Sequence, residues 1–401
     1  MQLTEKLTSI AAQAKAIRES MTDLDPRNPN EGIGRADRLI QPGGSQDRVR
    51  RVAEAARLIS EVNSGRRPYW HLQEAMSTSD FPLLMGDLMY RQMVGNFVPY
   101  PVTYPGYFKI LDVNDFRALN LYAMEGGQGI LKELAEYEPY PETKFVEAKR
   151  QVSVKKYGRR YGISFEIGIN DDLNAFSQRP QSMAVGARRS EEYLATQQMF
   201  DVNGPHAGFF TIGNANIIAG NPPLSIAALQ TGLATMAAQR DSDGHPIVID
   251  AVHLVITPDD EVTARNILNA TELQISADGG GAGTNTWMRV QNWMKNRLTL
   301  HVNAYIPYVV TGTHAASNPW LLVASPNDPS GRSAFAFAFM RGRRTPQLFM
   351  KDPDQRNLGG GDTSPMEGNF DNDSIDYKLR HIFGAAQGDP KMAVASDGSG
   401  S

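Results

Sequence analysis

Residues Lys144 to Gly204 restrict the folds open to this chain more than any other stretch. A basic, alternating run, Val152-Ser-Val-Lys-Lys-Tyr-Gly-Arg-Arg-Tyr-Gly-Ile-Ser-Phe-Glu-Ile-Gly-Ile169, leads through Asn170-Asp171-Asp172 into a long helical pattern that ends at Asn203-Gly204. Ile163, Phe165, Ile167 and Ile169 alternate with Ser164, Glu166 and Gly168, the period of a strand with one buried face. Asp171 or Asp172 offers a helix cap. The spacing predicts the helix proper after Pro180, with Met183, Ala187, Leu194, Ala195 and Met199 on one stripe. Arg188, Arg189, Glu191 and Glu192 are expected to form local ion pairs elsewhere on its surface. Gly204-Pro205 stops it. A long strand feeding a long helix, with no pocket chemistry in either, reads as a mechanical joint.

The rest of the chain has to supply what such a joint connects. At 401 residues it is long enough for a substantial core and about two or three domains. Its 41% hydrophobic and 21% charged content is that of an ordinary folded protein. A formal net charge of -4 disfavours a DNA-coating role, while leaving room for local basic clusters. The absence of cysteine removes disulfides, thiolate metal sites and cysteine nucleophiles together. No apolar run approaches the ~20 residues that span a bilayer. Glu5, Lys6, Lys15 and Arg18 stand where a signal peptide would be apolar, so a soluble protein that is not exported is expected.

In chain order, Leu3, Leu7, Ile10, Ala14, Ile17 and Met21 form a heptad seam, and the step returns at Val49, Val52, Ala56 and Ile59. Two readings fit: helices folding back on their own domain, or an arm docking on another subunit. Residues 81–90 suit a short apolar helix, and the prolines of Phe97-Val-Pro-Tyr-Pro-Val-Thr-Tyr-Pro105 force an extended exit. Tyr107 to Ile169 reads as a two-stranded excursion. Its outgoing limb holds Phe108 to Val113 and Phe116 to Tyr122, and its middle is acidic, with Glu133, Glu136, Glu138 and Glu142. Its return limb is basic, with Lys149, Arg150, Lys155, Lys156, Arg159 and Arg160. A hairpin with so few core-forming residues must lie on something, and opposite charge at its two ends suits head-to-tail contact between copies.

An α/β layer follows. Ser225 opens a helix carrying Ile226, Leu229, Leu233 and Met236, Ile249 to Thr257 is a strand, and Pro258-Asp-Asp-Glu261 starts a second helix. Gly279 to Gly283 makes a loop. Strands are expected at Leu298 to Val302, Trp320 to Ala324, Phe335 to Phe339, Gln347 to Met350, Ile375 to Phe383 and Lys391 to Ala395, before a loose tail, Ser396 to Ser401.

The search for reaction chemistry is nearly empty. The seven histidines, at 71, 206, 245, 253, 301, 314 and 381, include no pair at zinc-ligand spacing. There is no G-x-S-x-G elbow and no G-K-[ST] after a glycine loop. The acidic pairs Asp171-Asp172 and Asp259-Asp260 sit where caps and turns need acids, and Asp241 with Asp243 lacks the remaining ligands of a calcium loop.

The order of segments carries a resemblance. Lys155-Lys-Tyr-Gly-Arg-Arg-Tyr-Gly-Ile-Ser-Phe-Glu-Ile-Gly-Ile-Asn-Asp-Asp-Leu173, the helix ending at Asn203-Gly204, Asp243-Gly-His-Pro-Ile followed by His253-Leu-Val-Ile-Thr-Pro258, and Asn372-Asp-Ser-Ile-Asp-Tyr-Lys-Leu-Arg-His-Ile-Phe-Gly384 resemble the HK97-fold major capsid proteins of tailed double-stranded DNA bacteriophages. The resemblance spans about residues 80 to 395 and implies an α+β fold in four parts. These are a helical N-terminal arm (1–79), a peripheral domain with the spine helix (80–103, 170–203 and 340–385), a long hairpin called the E-loop (104–169), and an axial domain (204–339 and 386–401).

It further implies a non-enzymatic homo-oligomer, without cofactor or metal, tiling as pentamers and hexamers into an icosahedral head. That head encloses double-stranded DNA without sequence-specific binding. Scaffold, portal and decoration proteins are implied as partners, with no membrane, and the location is the virion after assembly in the host cytoplasm. Lys155, Lys156, Arg159 and Arg160, with Glu133, Glu136 and Glu138, are the candidate subunit-interface residues. Residues 170–172 would let the hairpin tilt against the spine helix as an immature shell expands. Lys132 and Lys144 match no cross-linking motif, so no covalent link is expected, and the arm is expected to be retained. The competing functions are an encapsulin-like shell around an enzyme cargo and an unrelated soluble hydrolase.

Overall fold

A computed structural model describes residues 93–95, 97, 98, 100–125, 133, 134, 146–164, 173–241, 244–249, 252–276, 287–295, 297–327, 331–352, 354, 355, 358 and 369–400. The arm, the apolar helix expected at 81–90, the joint at 170–172 and the glycine loop at 279–283 lie outside the described residues.

In chain order the strands are β1 (Lys109–Val113), β2 (Leu119–Glu125), β3 (Val146–Val152), β4 (Lys155–Ser164), β5 (Phe200–Asp201), β6 (Gly204–Pro205), β7 (Val252–Ile256), β8 (Glu272–Ser276), β9 (Trp287–Gln291) and β10 (Leu298–Val302). They continue with β11 (Trp320–Ala324), β12 (Phe335–Met340), β13 (Gln347–Met350), β14 (Ser374–Gln387) and β15 (Ala393–Ser396). The α-helices are α1 (Leu173–Met199), α2 (Ile226–Ala237), α3 (Glu261–Asn269) and the single turn α4 (Ile306–Val309).

The chain divides into two compact units. One takes Gly158–Ala187 and Thr345–Arg380 with the residues up to Tyr100, and the other takes Pro101–Tyr157, Arg188–Arg344 and His381–Ser401. β4, α1 and β14 each contribute residues to both.

In the second unit, β10, β7, β11 and β15 form a four-stranded sheet in that order. β10 runs parallel to β7, while β11 is antiparallel to both β7 and β15. Every residue of β11 is buried, the mark of a central strand covered on two faces. α2 packs through Leu229, Leu233 and Met236, and its N-terminus is capped by the Ser225 hydroxyl, which accepts from the Ala228 amide at 3.1 Å. β12 lies between β1, its parallel partner, and the second half of β14, its antiparallel partner. Phe108 stacks on Phe335 at 5.1 Å and Tyr104 on Phe337 at 4.4 Å, and each such fully buried ring contributes about 2–3 kcal/mol of transfer free energy. Phe335, Phe337 and Phe339 alternate along β12 and are buried. Ala336 and Ala338 are buried as well, because β12 is covered on both faces.

In the first unit, β13 pairs antiparallel with the first half of β14, from Gln347↔Arg380 to Met350↔Tyr377. One face of this pair, with Leu348 and Leu379, packs against Met93, Phe97, Ala184 and Ala187.

Three elements differ from the sequence reading. α1 begins at Leu173 and contains Pro180, which costs a helix one internal hydrogen bond without ending this one. Among the described residues, the ribbon of paired strands runs over Leu119–Glu125 against Val146–Val152. Lys109–Val113, expected in its outgoing limb, instead pairs with β12, and Lys155–Ser164, expected in its return limb, pairs with β14. Finally, the tail is held down: Ser396 donates its hydroxyl to the Pro222 carbonyl at 2.7 Å, and the Gly400 amide donates to the Asn221 carbonyl at 2.7 Å.

Candidate functional site

The candidate interface residues on β4 divide into two kinds. Lys155, Lys156 and Arg159 are exposed and form no ion pair among the described residues. Arg160 instead grips Asp376 from the same compact unit. Its Nε donates to Oδ1 at 3.2 Å and its Nη2 to Oδ2 at 2.6 Å, a two-pronged contact to a carboxylate that is itself buried. Glu133 is exposed, whereas Glu136 and Glu138 lie outside the described residues. The structure therefore ties Arg160 to its own chain and leaves the other three cations facing outward.

Sequence reasoning missed a buried polar cluster in the second unit. Glu191 and Glu192 on α1 are fully or almost fully buried. One oxygen of Glu191 meets His381 Nε2 at 2.5 Å. The other accepts from the Tyr104 hydroxyl at 3.0 Å and from Arg188 Nη1 at 2.9 Å. Glu192 accepts from the Thr103 amide at 2.9 Å and from the Thr103 hydroxyl, which also meets the Tyr107 hydroxyl at 2.9 Å. Burial pushes the Glu192 carboxyl up, and burial with the nearby Glu191 carboxylate pushes the Tyr104 hydroxyl well up. The expected Arg188–Glu191 pair exists, but inside the protein. The signal was present in the spacing, since Glu191 is four residues from both Ala187 and Ala195 and so falls on the buried stripe.

A second missed pair joins the strands β7 and β10. His253 Nδ1 and His301 Nε2 are 3.0 Å apart, brought together across 48 positions by the parallel register of Thr299 on His253 and His301 on Val255. Burial lowers the pKa of His253, and burial followed by the His253 charge lowers that of His301 to about 4. The ring of Tyr107 meets His301 edge-on at 5.1 Å. A Cβ at position 106 would fall 2.5 Å from the His301 ring, so this turn requires Gly106. No group of three or more metal-ligating side chains gathers among the described residues.

Two hollows remain. A shallow one of about 580 Å³ is lined by Arg150, Gln151, Gln198, Ala385, Ala386 and Gln387. One of about 260 Å³ is bounded mainly by apolar side chains such as Leu233, Met236 and Ile247, with Arg297. Neither is lined by the Glu191 cluster or the histidine pair. The Glu191 oxygens, His381 Nε2, Arg188 Nη1 and the Tyr104 hydroxyl bond to one another and so tie α1 to the segment before β1 and to β14. No described helix is long and apolar enough to cross a membrane.

The described residues thus form an α+β chain with two buried polar clusters, at Glu191 and at His253–His301. A direct match supplies the family. The model of the family described as phage capsid protein matches residues 147–396, more than half of the chain, and this chain belongs to that family. It is a capsid protein of a bacteriophage head, and the sequence reading as a major capsid protein of a phage stands on that match.

Solved structures to which the chain is similar include the capsid of Ralstonia phage GP4, at 9% identity and a TM-score of 0.45, covering 74% of this chain and 91% of that one. The capsid of cyanophage P-SCSP1u is 10% identical with a TM-score of 0.42, covering 74% and 87%. A structure of Mycobacterium phage Che8 is 11% identical with a TM-score of 0.40, covering 71% and 85%. No curated protein matches the chain.

Proposed function

We propose that this chain assembles as pentamers and hexamers into an icosahedral HK97-type head that encloses double-stranded DNA, acts without enzymatic activity, and does so in the host cytoplasm. The observation that supports this most is the ribbon of β2 and β3. Seven residue pairs of antiparallel ladder, from Leu119↔Val152 to Glu125↔Val146, form a two-stranded sheet with no third strand among the described residues. Such a pair is marginal in water on its own, and it gains stability by lying across a neighbouring copy. Lys155, Lys156 and Arg159, with Glu133, Glu136 and Glu138, supply opposite charges for such contacts, while Arg160 holds β4 in register through Asp376. Many weak contacts repeated over a closed shell give a stable whole.

Electron micrographs of the expressed chain test the proposal. Closed particles are expected, and replacing residues 121–148 by a short glycine-serine turn should leave a folded subunit that forms none. Nucleic acid inside particles from infected cells supports the phage head, whereas a discrete small species with turnover would sink it.

A further inference from the structure

The face of the β13–β14 pair opposite the Leu348–Leu379 core carries cations around an exposed ring. Lys378 and Phe349 are register partners, and Arg380 is the partner of Gln347, so these side chains emerge on one side of the sheet. The Arg380 guanidinium lies 4.5 Å from the Phe349 ring centre and the Lys378 ammonium 5.4 Å from it, while Arg380 also donates to the Gln347 side-chain carbonyl at 2.8 Å. Two residues earlier on β14 stands Asp376, and Arg160 already binds both of its oxygens. Lys378 is exposed and forms no ion pair among the described residues, and Phe349 is 36% exposed. The result is a preorganised cationic surface with an apolar ring between its charges, and like charges held this close repel until a counter-charge arrives.

The chain carries a segment of matching chemistry. Residues 133–142 contain Glu133, Glu136, Glu138 and Glu142 with no lysine or arginine, interleaved with Tyr137 and Tyr140, which offer rings to the exposed Phe349. We propose that the Phe349–Lys378–Arg380 face receives the acidic middle of the hairpin from a second copy of this chain. The proposal rests on the shell reading above and adds the surface on which the hairpin lands.

Assembly of the full chain, followed by light scattering and micrographs, tests it, with the melting transition of each unassembled variant showing that it folds. Lys378→Glu is expected to slow shell formation about tenfold, because attraction becomes repulsion at every copy of the contact. Lys378→Gln, which adds no repulsion, is expected to slow it less. Adding Glu136→Lys to the Lys378→Glu chain should recover most of the loss. Wild-type chains that close no particle overturn the shell reading, and this proposal with it. Wild-type shells together with Lys378→Glu shells formed at the same rate overturn this proposal alone. A slow variant that neither Glu136→Lys nor Glu138→Lys rescues overturns the choice of partner. Lys378→Glu shells that form normally but retain less DNA overturn it too, by assigning the face to phosphate.

Discussion

Glu191 is a buried acid that answers three side chains at once. Its two oxygens serve His381, Tyr104 and Arg188, and the carboxylate itself is fully buried. Glu191→Ala removes the carboxylate that these three side chains share and leaves the Tyr104 hydroxyl buried without it, and a loss of about 3–5 kcal/mol is expected. Urea unfolding of the unassembled subunit measures it, with Glu191→Gln expected between the two. The histidine pair predicts a pH effect. The folded-state pKa of His301 is about 4 and that of His253 lies below its ordinary value, so between about pH 6.5 and 4 the unfolded chain binds more protons than the folded one. Stability contributed by these neutral rings is present above that window and falls as pH drops through it. Glu192, raised by burial, acts in the opposite direction. The difference between the wild type and His301→Gln isolates the histidine: melting temperature should fall less steeply from pH 6.5 to 4.5 in the variant. At this scale the Ser225 cap was legible because a cap is local. The histidine pair was not, because only sheet register brings positions 253 and 301 together.

Among elements, those with a local cause read well: α2 from its cap and apolar stripe, and strands where β11 and most of β14 lie. Partnership was less legible. An alternating stretch announces a strand without naming its neighbour, which is why Lys109–Val113 was assigned to the ribbon although its partner β12 begins at Phe335. Pro180 was read as the natural start of α1, yet the backbone stays helical on both sides of it. The tail shows the same ambiguity in glycine, whose presence marks either freedom or crowding. Gly398 has φ +73°, and a Cβ there would meet the Ser317 carbonyl oxygen at 1.9 Å, so this glycine is demanded by close approach. Gly398→Ala is expected to cost about 1–3 kcal/mol. Thermal melting would show it, and a variant that melts with the wild type would mean that the tail stands off the sheet.

At the scale of the whole molecule, the family was readable because short motifs kept their order along the chain, whereas the split into two units depends on which segments return to which, as β4, α1 and β14 do. The charge pattern makes a last prediction about assembly. If the contacts between copies are led by Lys155, Lys156, Arg159 and Lys378 against the acidic middle of the hairpin, they are screened where they stay near solvent. Raising the salt from about 0.05 to 0.5 M shortens the screening length from roughly 14 Å to 4 Å and should slow the early, scattering-detected phase of shell formation several-fold. Apolar contact through exposed side chains such as Tyr308 and Val202 would respond the other way, since excluded salts such as sulfate strengthen burial. A series in sodium chloride beside one in sodium sulfate at equal ionic strength separates the two. Slowing in both salts places the first contacts on the charged surfaces, and acceleration in sulfate places them on the apolar ones.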